Sequence, residues 1–237
     1  MRRSIAWKNC WRPRNPRMNA GRAMAGVALL ICSGMAPAET GSDPADLRNI
    51  NQGDLVFLTK PPKRPPHLQE MRVLINDDSL RTGWVQTSQC HYRLDRMPAL
   101  QVVFAPDKVR KLRILRTEHI GRAWIEGSSV QVEQIGANAV LCIFSENRTL
   151  HPSGPGGFEW RGGPYMRRFF DGYFPVHLKL NVLYPDSMVL LSSLEPSALQ
   201  LKSVQQPGQI DVDVLFEGRL NILMHFTPAA PANRLGW

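Results

Sequence analysis

The chain has 237 residues, with 29 basic and 20 acidic side chains, a formal net charge of +9 and 43% hydrophobic residues. That apolar content excludes wholesale disorder, but seven of the basic residues and none of the acidic ones fall in the first 38 positions. The remaining 199 residues carry 22 basic against 20 acidic groups, a net +2, which is too weak a field to steer a nucleic acid.

Arg2, Arg3, Lys8, Arg12, Arg14, Arg17 and Arg22 lead into Ala23–Cys32, an apolar run of ten residues. Small residues follow, with Ala36 and Ala38 at −3 and −1 before Glu39. A basic region, a short apolar region and a small-residue cleavage site together predict a signal peptide over residues 1–38. The run is too short for a bilayer core, which takes about 20 residues. Met1 and Met18 both serve as starts for this signal, and Arg2-Arg3 leaves the general secretory and twin-arginine routes both open. The expected product is periplasmic or secreted, with no membrane span after cleavage.

Residues 39–70 read as an extended, Pro-rich N-terminal segment. It holds one short strand, Asp54 to Thr59, and a polyproline-like connector, Lys60 to Pro66. A β-rich domain is expected over 71–226. Met71 to Ile75 forms a strand that ends at the turn cluster Asn76-Asp77-Asp78-Ser79. Leu100 to Phe104 and Leu112 to Leu115 follow as strands, and Arg122 to Glu133 folds as a hairpin about Gly127-Ser128, with glycine first as a type II′ turn requires. Ala139 to Phe144 is another strand. Cys90 and Cys142 are the two cysteines left after cleavage, and an even pair in an oxidising compartment predicts a disulfide. A Cys90–His91 nucleophile is disfavoured, because neighbours on a strand point to opposite faces.

Pro164 to Gly172 predicts a short helix, opened by proline and closed by glycine. It carries Tyr165, Arg167, Arg168, Phe169 and, just beyond, Tyr173. With Arg161 these residues are the candidate ligand site, because guanidinium forks bind anions and aromatic faces stack on sugars. A helical plug closing the β-core is the structural alternative for the same segment. Val176 to Tyr184 and Met188 to Ser193 are strands. Ile210 to Phe216 turns at Glu217-Gly218 and returns as Leu220 to Phe226, a second expected hairpin. Residues 227–237 form a flexible tail.

The fold expected is therefore mostly β: an antiparallel β-sandwich, or two small β-modules meeting near residues 150–165, with a short helix near 164–172. His177 and His225, with Met188 and Met224, would make a soft copper site only if several strands converged. No metal and no cofactor is expected. The basic run Lys108 to Arg116 reads as a protected sheet edge, or as a patch for anionic lipid headgroups or an acidic partner. The functional expectation is an exported, non-enzymatic β-domain acting as an accessory, assembly or protein-binding factor of the cell envelope. Its partner would be another envelope protein, with peripheral membrane contact open and nucleic acid excluded. Two alternatives stand beside it: a small-anion or glycan-binding module using the Arg/aromatic segment, and an envelope enzyme with no recognisable motif.

Overall fold

Alternating inward and outward residues on β14 (Gln209–Glu217) show how this chain builds its layers. Ile210, Val212, Val214 and Phe216 are buried, while Asp211 and Asp213 point outward. Its neighbour β11 (Val176–Leu183) repeats the pattern, with Val176, Leu178, Leu180 and Val182 buried. A period of two on both strands puts one apolar face against a core and one polar face in solvent. The structure is a computed structural model and describes residues 51–60, 62–169 and 172–229. The expected signal peptide, with its expected cleavage residues Ala36, Ala38 and Glu39, lies outside the described residues, as do 230–237.

The remaining elements, in chain order, are β1 (Val56–Phe57), β2 (His67–Leu74), α1 (Asp77–Thr82), β3 (Trp84–Leu94) and β4 (Met97–Val103). A 3-10 turn (Pro106–Lys108) leads to β5 (Val109–Glu126) and β6 (Ser129–Arg148). Then come β7 (Leu150–Pro152), β8 (Phe158–Tyr165), β9 (Arg168–Phe169), β10 (Gly172–Tyr173), β12 (Val189–Glu195), α2 (Ala198–Leu201), β13 (Val204–Gln206) and β15 (Leu220–Pro228). The fold is mostly β, as expected. A nine-stranded sheet runs β1-β14-β11-β2-β3-β6-β4, with β13 added to β14 and β5 added to β6. A four-stranded sheet runs β12-β15-β8-β7, and β9 and β10 form a small ribbon.

Inward residues of both large sheets meet in one core. Val73, Leu178, Leu180 and Phe216 from the nine-stranded sheet join Leu150, Trp160, Leu220, Ile222 and Met224 from the four-stranded sheet. Residues on both sides of 150–165 share this cluster, so the packing is sandwich-like across that stretch. A second core lies elsewhere, where β6 lies between β4 and β5. Leu94, Val130, Val132, Ile135, Leu141 and Ile143 pack there against Leu100, Val102, Leu112 and Ile114. The Gly127-Ser128 hairpin forms as expected, with Gly127 at φ +56° and its Cβ position in open space.

Three expectations are corrected. First, the large sheet is not wholly antiparallel: β2 and β11 run parallel, from Val176 opposite His67 to Leu183 opposite Leu74. A parallel pair needs a long crossover, here the whole stretch between residues 74 and 176, and alternation on each strand is the same for either direction. Second, Ile210–Phe226 is not a hairpin. β14 belongs to the nine-stranded sheet and β15 to the four-stranded one. Crossing between sheets lets the two apolar rows face each other across the core instead of lying side by side. Gly218 makes the corner at φ +85°, where a Cβ would collide with the Asp54 carbonyl. Third, residues 164–172 are not a helix where described. Tyr165 ends β8 opposite Leu220, and Arg168 and Phe169 pair with Tyr173 and Gly172. An isolated nine-residue helix is marginal, and strand pairing here buries both Tyr165 and Tyr173. The cluster at 76–79 is the start of α1, where Asn76 accepts the Ser79 amide at 2.9 Å.

Candidate functional site

The outward residues of four neighbouring strands line an open groove of about 480 Å³ on the nine-stranded sheet. β2 contributes Glu70 and Arg72, β3 Ser88 and Cys90, β11 Lys179 and Asn181, and β14 Asp211 and Asp213. The wall is built by α2 and β13. Ser197 caps α2, Lys202 turns the chain back at φ +48°, and β13 then pairs with β14, which places Lys202 and Val204 beside the groove. Two of the acids are already occupied: Asp213 meets the His177 Nε2 at 2.6 Å, and Asp211 accepts from Asn181 at 2.7 Å and Gln209 at 2.6 Å. Arg72, Lys179, Lys202 and Glu70 have no ion-pair partner among the described residues.

Cys90 lies directly opposite Cys142 on β6, with Cα atoms 4.1 Å apart, and the two form the expected disulfide. Cys90 faces the groove, whereas its neighbour His91 is buried on the other face. That separation leaves no Cys–His nucleophile.

Behind the groove, on the inner face, lies a buried polar row that the sequence reading missed. His67 and Gln69 on β2 and Gln89 and His91 on β3 are each less than a tenth exposed. The His67 Nε2 and His91 Nδ1 share a hydrogen bond at 3.1 Å, and Gln69 Nε2 donates to Gln89 Oε1 at 3.4 Å and Met71 Sδ at 3.2 Å. The His91 Nε2 is buried with no hydrogen-bond partner. Burial pushes the His91 imidazole down to about 4. Burial also pushes His67 well below its ordinary value, reinforced by His91, Arg167 and Arg93. Both rings are neutral at ordinary pH and closed off from solvent. The signal for them is polar residues at inward positions of otherwise apolar strands, in His67-x-Gln69 and Gln89-x-His91.

Of the six residues assigned to a ligand site from sequence, Arg167, Arg168, Phe169 and Tyr173 lie together at the β9–β10 ribbon, while Arg161 and Tyr165 lie apart from them. Arg161 pairs with Glu159 and lines a separate surface hollow with Glu195 and Asn221. Tyr165 is a core residue whose phenol is pushed up by burial. Arg167 pairs with Asp95, just past the end of β3, and lies 4.8 Å from the Phe169 ring and 5.9 Å from the Phe174 ring. Its side chain is 16% exposed. Arg168 sits 5.7 Å from the Tyr173 ring, and Tyr173 is itself buried. The geometry around Arg167 is a clasp that ties the β9–β10 ribbon to the end of β3. The copper alternative does not assemble: His177 pairs with Asp213 in one sheet, His225 lies 3.7 Å from Glu159 in the other, and Met224 is in the core. Among the described residues no group of three or more His, Cys, Asp or Glu side chains converges as a metal site.

No family model matches the chain, and no curated protein does. Among solved structures it is similar to an M1 zinc metallopeptidase from Deinococcus radiodurans, solved as an E323A mutant with a Tyr-Ser-Ala substrate, at 11% identity and a TM-score of 0.34. The structure of that metallopeptidase without the mutation matches at 10% identity and a TM-score of 0.32. Both matches cover 74% of this chain and 43% of the other. Likeness at that level carries no argument about function.

Proposed function

We propose that this chain is an exported, non-catalytic β-sandwich that binds another protein of the cell envelope, and that the partner docks in the groove on the outer face of the nine-stranded sheet. The observation that supports this is the lining of that groove: Arg72, Lys179, Lys202 and Glu70 surround it with charged heads that have no internal ion pair. Charges of both signs left open around one concavity favour a surface of mixed charge, since complementary potentials orient and select a protein partner. A small anion would meet Glu70, Asp211 and Asp213 together with the cations. Export rests on the signal-like first 38 residues. The Cys90–Cys142 pair, and the absence among the described residues of any helix long and apolar enough to cross a membrane, accord with it.

The test is site-specific photocrosslinking in the source cell. A photoreactive residue at Ser88 or at Val204, both lining the groove, should yield a discrete protein adduct. The adduct should disappear in the Arg72→Glu/Lys179→Glu variant. A probe at the exposed Ser153 turn serves as the control. Equal adducts from Ser153, or none from either groove position, would reject the assignment.

A further inference from the structure

Beside the groove, the same face of the nine-stranded sheet carries a row of arginines whose alignment is built into the backbone. On a regular strand, Arg110, Arg113 and Arg116 would not share a face, because residues three apart alternate sides. Between Arg110 and Arg116, β5 is bulged twice against β6, between Arg110 and Arg113 and between Ile114 and Arg116. Each bulge inserts one extra residue and re-aims the side chains that follow. The result is that Arg110, Arg113 and Arg116 stand opposite Glu146, Phe144 and Cys142, three residues of β6 that share one face. Two residues of strand separate each from the next, a pitch of about 7 Å.

The row is braced from beneath. Arg110 lies 4.2 Å from the Trp84 ring, and Arg113 lies 4.6 Å from the Phe144 ring. Glu146 takes Arg110 at 2.7 Å and Lys111 at 2.8 Å, and Glu118 pairs with Arg116. Arg113, at the centre, is exposed and has only its ring contact. Continuing across the sheet from Arg113, the same row holds Phe144, Ser88 and Arg72, and the row before it holds Glu146 and Gln86 beside Arg110. Neutral hydrogen-bonding side chains thus lie in the same rows as the regularly spaced guanidinium groups, one strand beyond β6, with Glu146 and Phe144 between.

We infer that this row binds an extended anionic polysaccharide, its carboxylates on Arg110, Arg113 and Arg116 and its hydroxyls on Gln86 and Ser88. Guanidinium forks match carboxylates, and a regular pitch matches a polymer better than a single ion. A nucleic acid is a poorer fit, because base recognition uses open aromatic faces and the rings of Trp84 and Phe144 are covered by Arg110 and Arg113. A flat anionic membrane is also a poorer fit. Lys202 and Val204 wall the adjoining groove, and Glu70, Asp211 and Asp213 lie on the same face. A narrow chain follows the row without meeting them.

The experiment is a binding titration of the disulfide-bonded protein with polygalacturonate at low ionic strength, repeated as salt is raised. Binding should weaken with salt, and Arg113→Glu should lower affinity about tenfold, as reversal of a central contact charge does. Arg168→Glu, an equal charge change on the exposed residue beside Tyr173, should alter it less than about twofold. Arg113→Lys keeps the charge and guards against a folding defect; it should fall between wild type and Arg113→Glu. Equal losses in Arg113→Glu and Arg168→Glu would overturn the inference, as would tighter binding to phosphatidylglycerol vesicles or to a 20-nucleotide single strand, or no binding to polygalacturonate at all.

Discussion

Acid should destabilise this protein through the buried histidine pair, and the size of the effect follows from where His91 sits. The residue is 8% exposed, its Nδ1 is bonded to His67 and its Nε2 is buried with no partner, and burial pushes it from 6.5 down to about 4. The unfolded chain therefore takes up a proton near pH 6.5, whereas the folded chain resists until about pH 4. Stability from this group is fully present above pH 6.5 and is lost as pH falls toward 4, because the unfolded state binds more protons throughout that window. Each pH unit across the window is worth about 1.4 kcal/mol, so the loss amounts to about 3 kcal/mol, most of it gone by pH 4.5. His67 adds in the same direction, and Arg167 and Arg93 next to it make its protonation costlier still. Glu146, held low by Lys111 and Arg110, acts mainly below this window. The assay is urea unfolding at pH 7.5, 6.5, 5.5 and 4.5 for the wild type and His91→Gln. The variant should start less stable at pH 7.5 and lose about 2 to 3 kcal/mol less by pH 4.5. Parallel pH profiles for the two proteins would refute the argument.

Reducing the Cys90–Cys142 bridge, which spans a sequence separation of 52, should lower unfolding free energy by about 4 kcal/mol in the chain-entropy model. Thermal midpoints with and without reductant check it, with Cys90→Ala/Cys142→Ala expected to match the reduced wild type. Gly218→Ala should cost at least about 2 kcal/mol, because φ is +85° and the Asp54 carbonyl occupies the Cβ position. Gly127→Ala should cost only about 1 kcal/mol, since φ is +56° but the space is open, so denaturation midpoints that rank the two variants the other way would contradict the sheet-crossing corner. Arg167→Ala removes the Asp95 pair and the ring contacts of a mostly buried side chain, and should cost about 2 kcal/mol. Proteolysis should then cut first near residues 166–174; a variant as stable and as resistant as wild type would mean that Arg167 is not a clasp.

Most strands could be read from sequence because alternation is a local property. Val176 to Leu183 and Ile210 to Phe216 each carry an inward apolar row that any pairing must bury. The cysteine pair was likewise readable, since Cys90 and Cys142 are the two that remain if the expected signal is removed, and two cysteines have one simple pairing. The groove could not be seen in advance: Glu70, Arg72, Ser88, Lys179 and Asp213 come from four strands, and only their lateral order brings them together. The buried His67–His91 pair was hidden for the same reason, because strand propensity does not say which polar residue ends on an inner face.

By itself, then, the sequence determined the β-class, many of the strand positions though not β3 or β8, the Gly127-Ser128 turn and the Cys90–Cys142 pairing, all of which depend on short-range pattern or on a single expected pairing. Tertiary structure alone decided that Glu217-Gly218 passes between sheets instead of closing a hairpin, that residues 164–172 pair as strands, and that bulges turn Arg110, Arg113 and Arg116 to one side. In each of these the local sequence pattern is compatible with either arrangement. The choice between them rests on which one buries apolar side chains against partners far away in sequence.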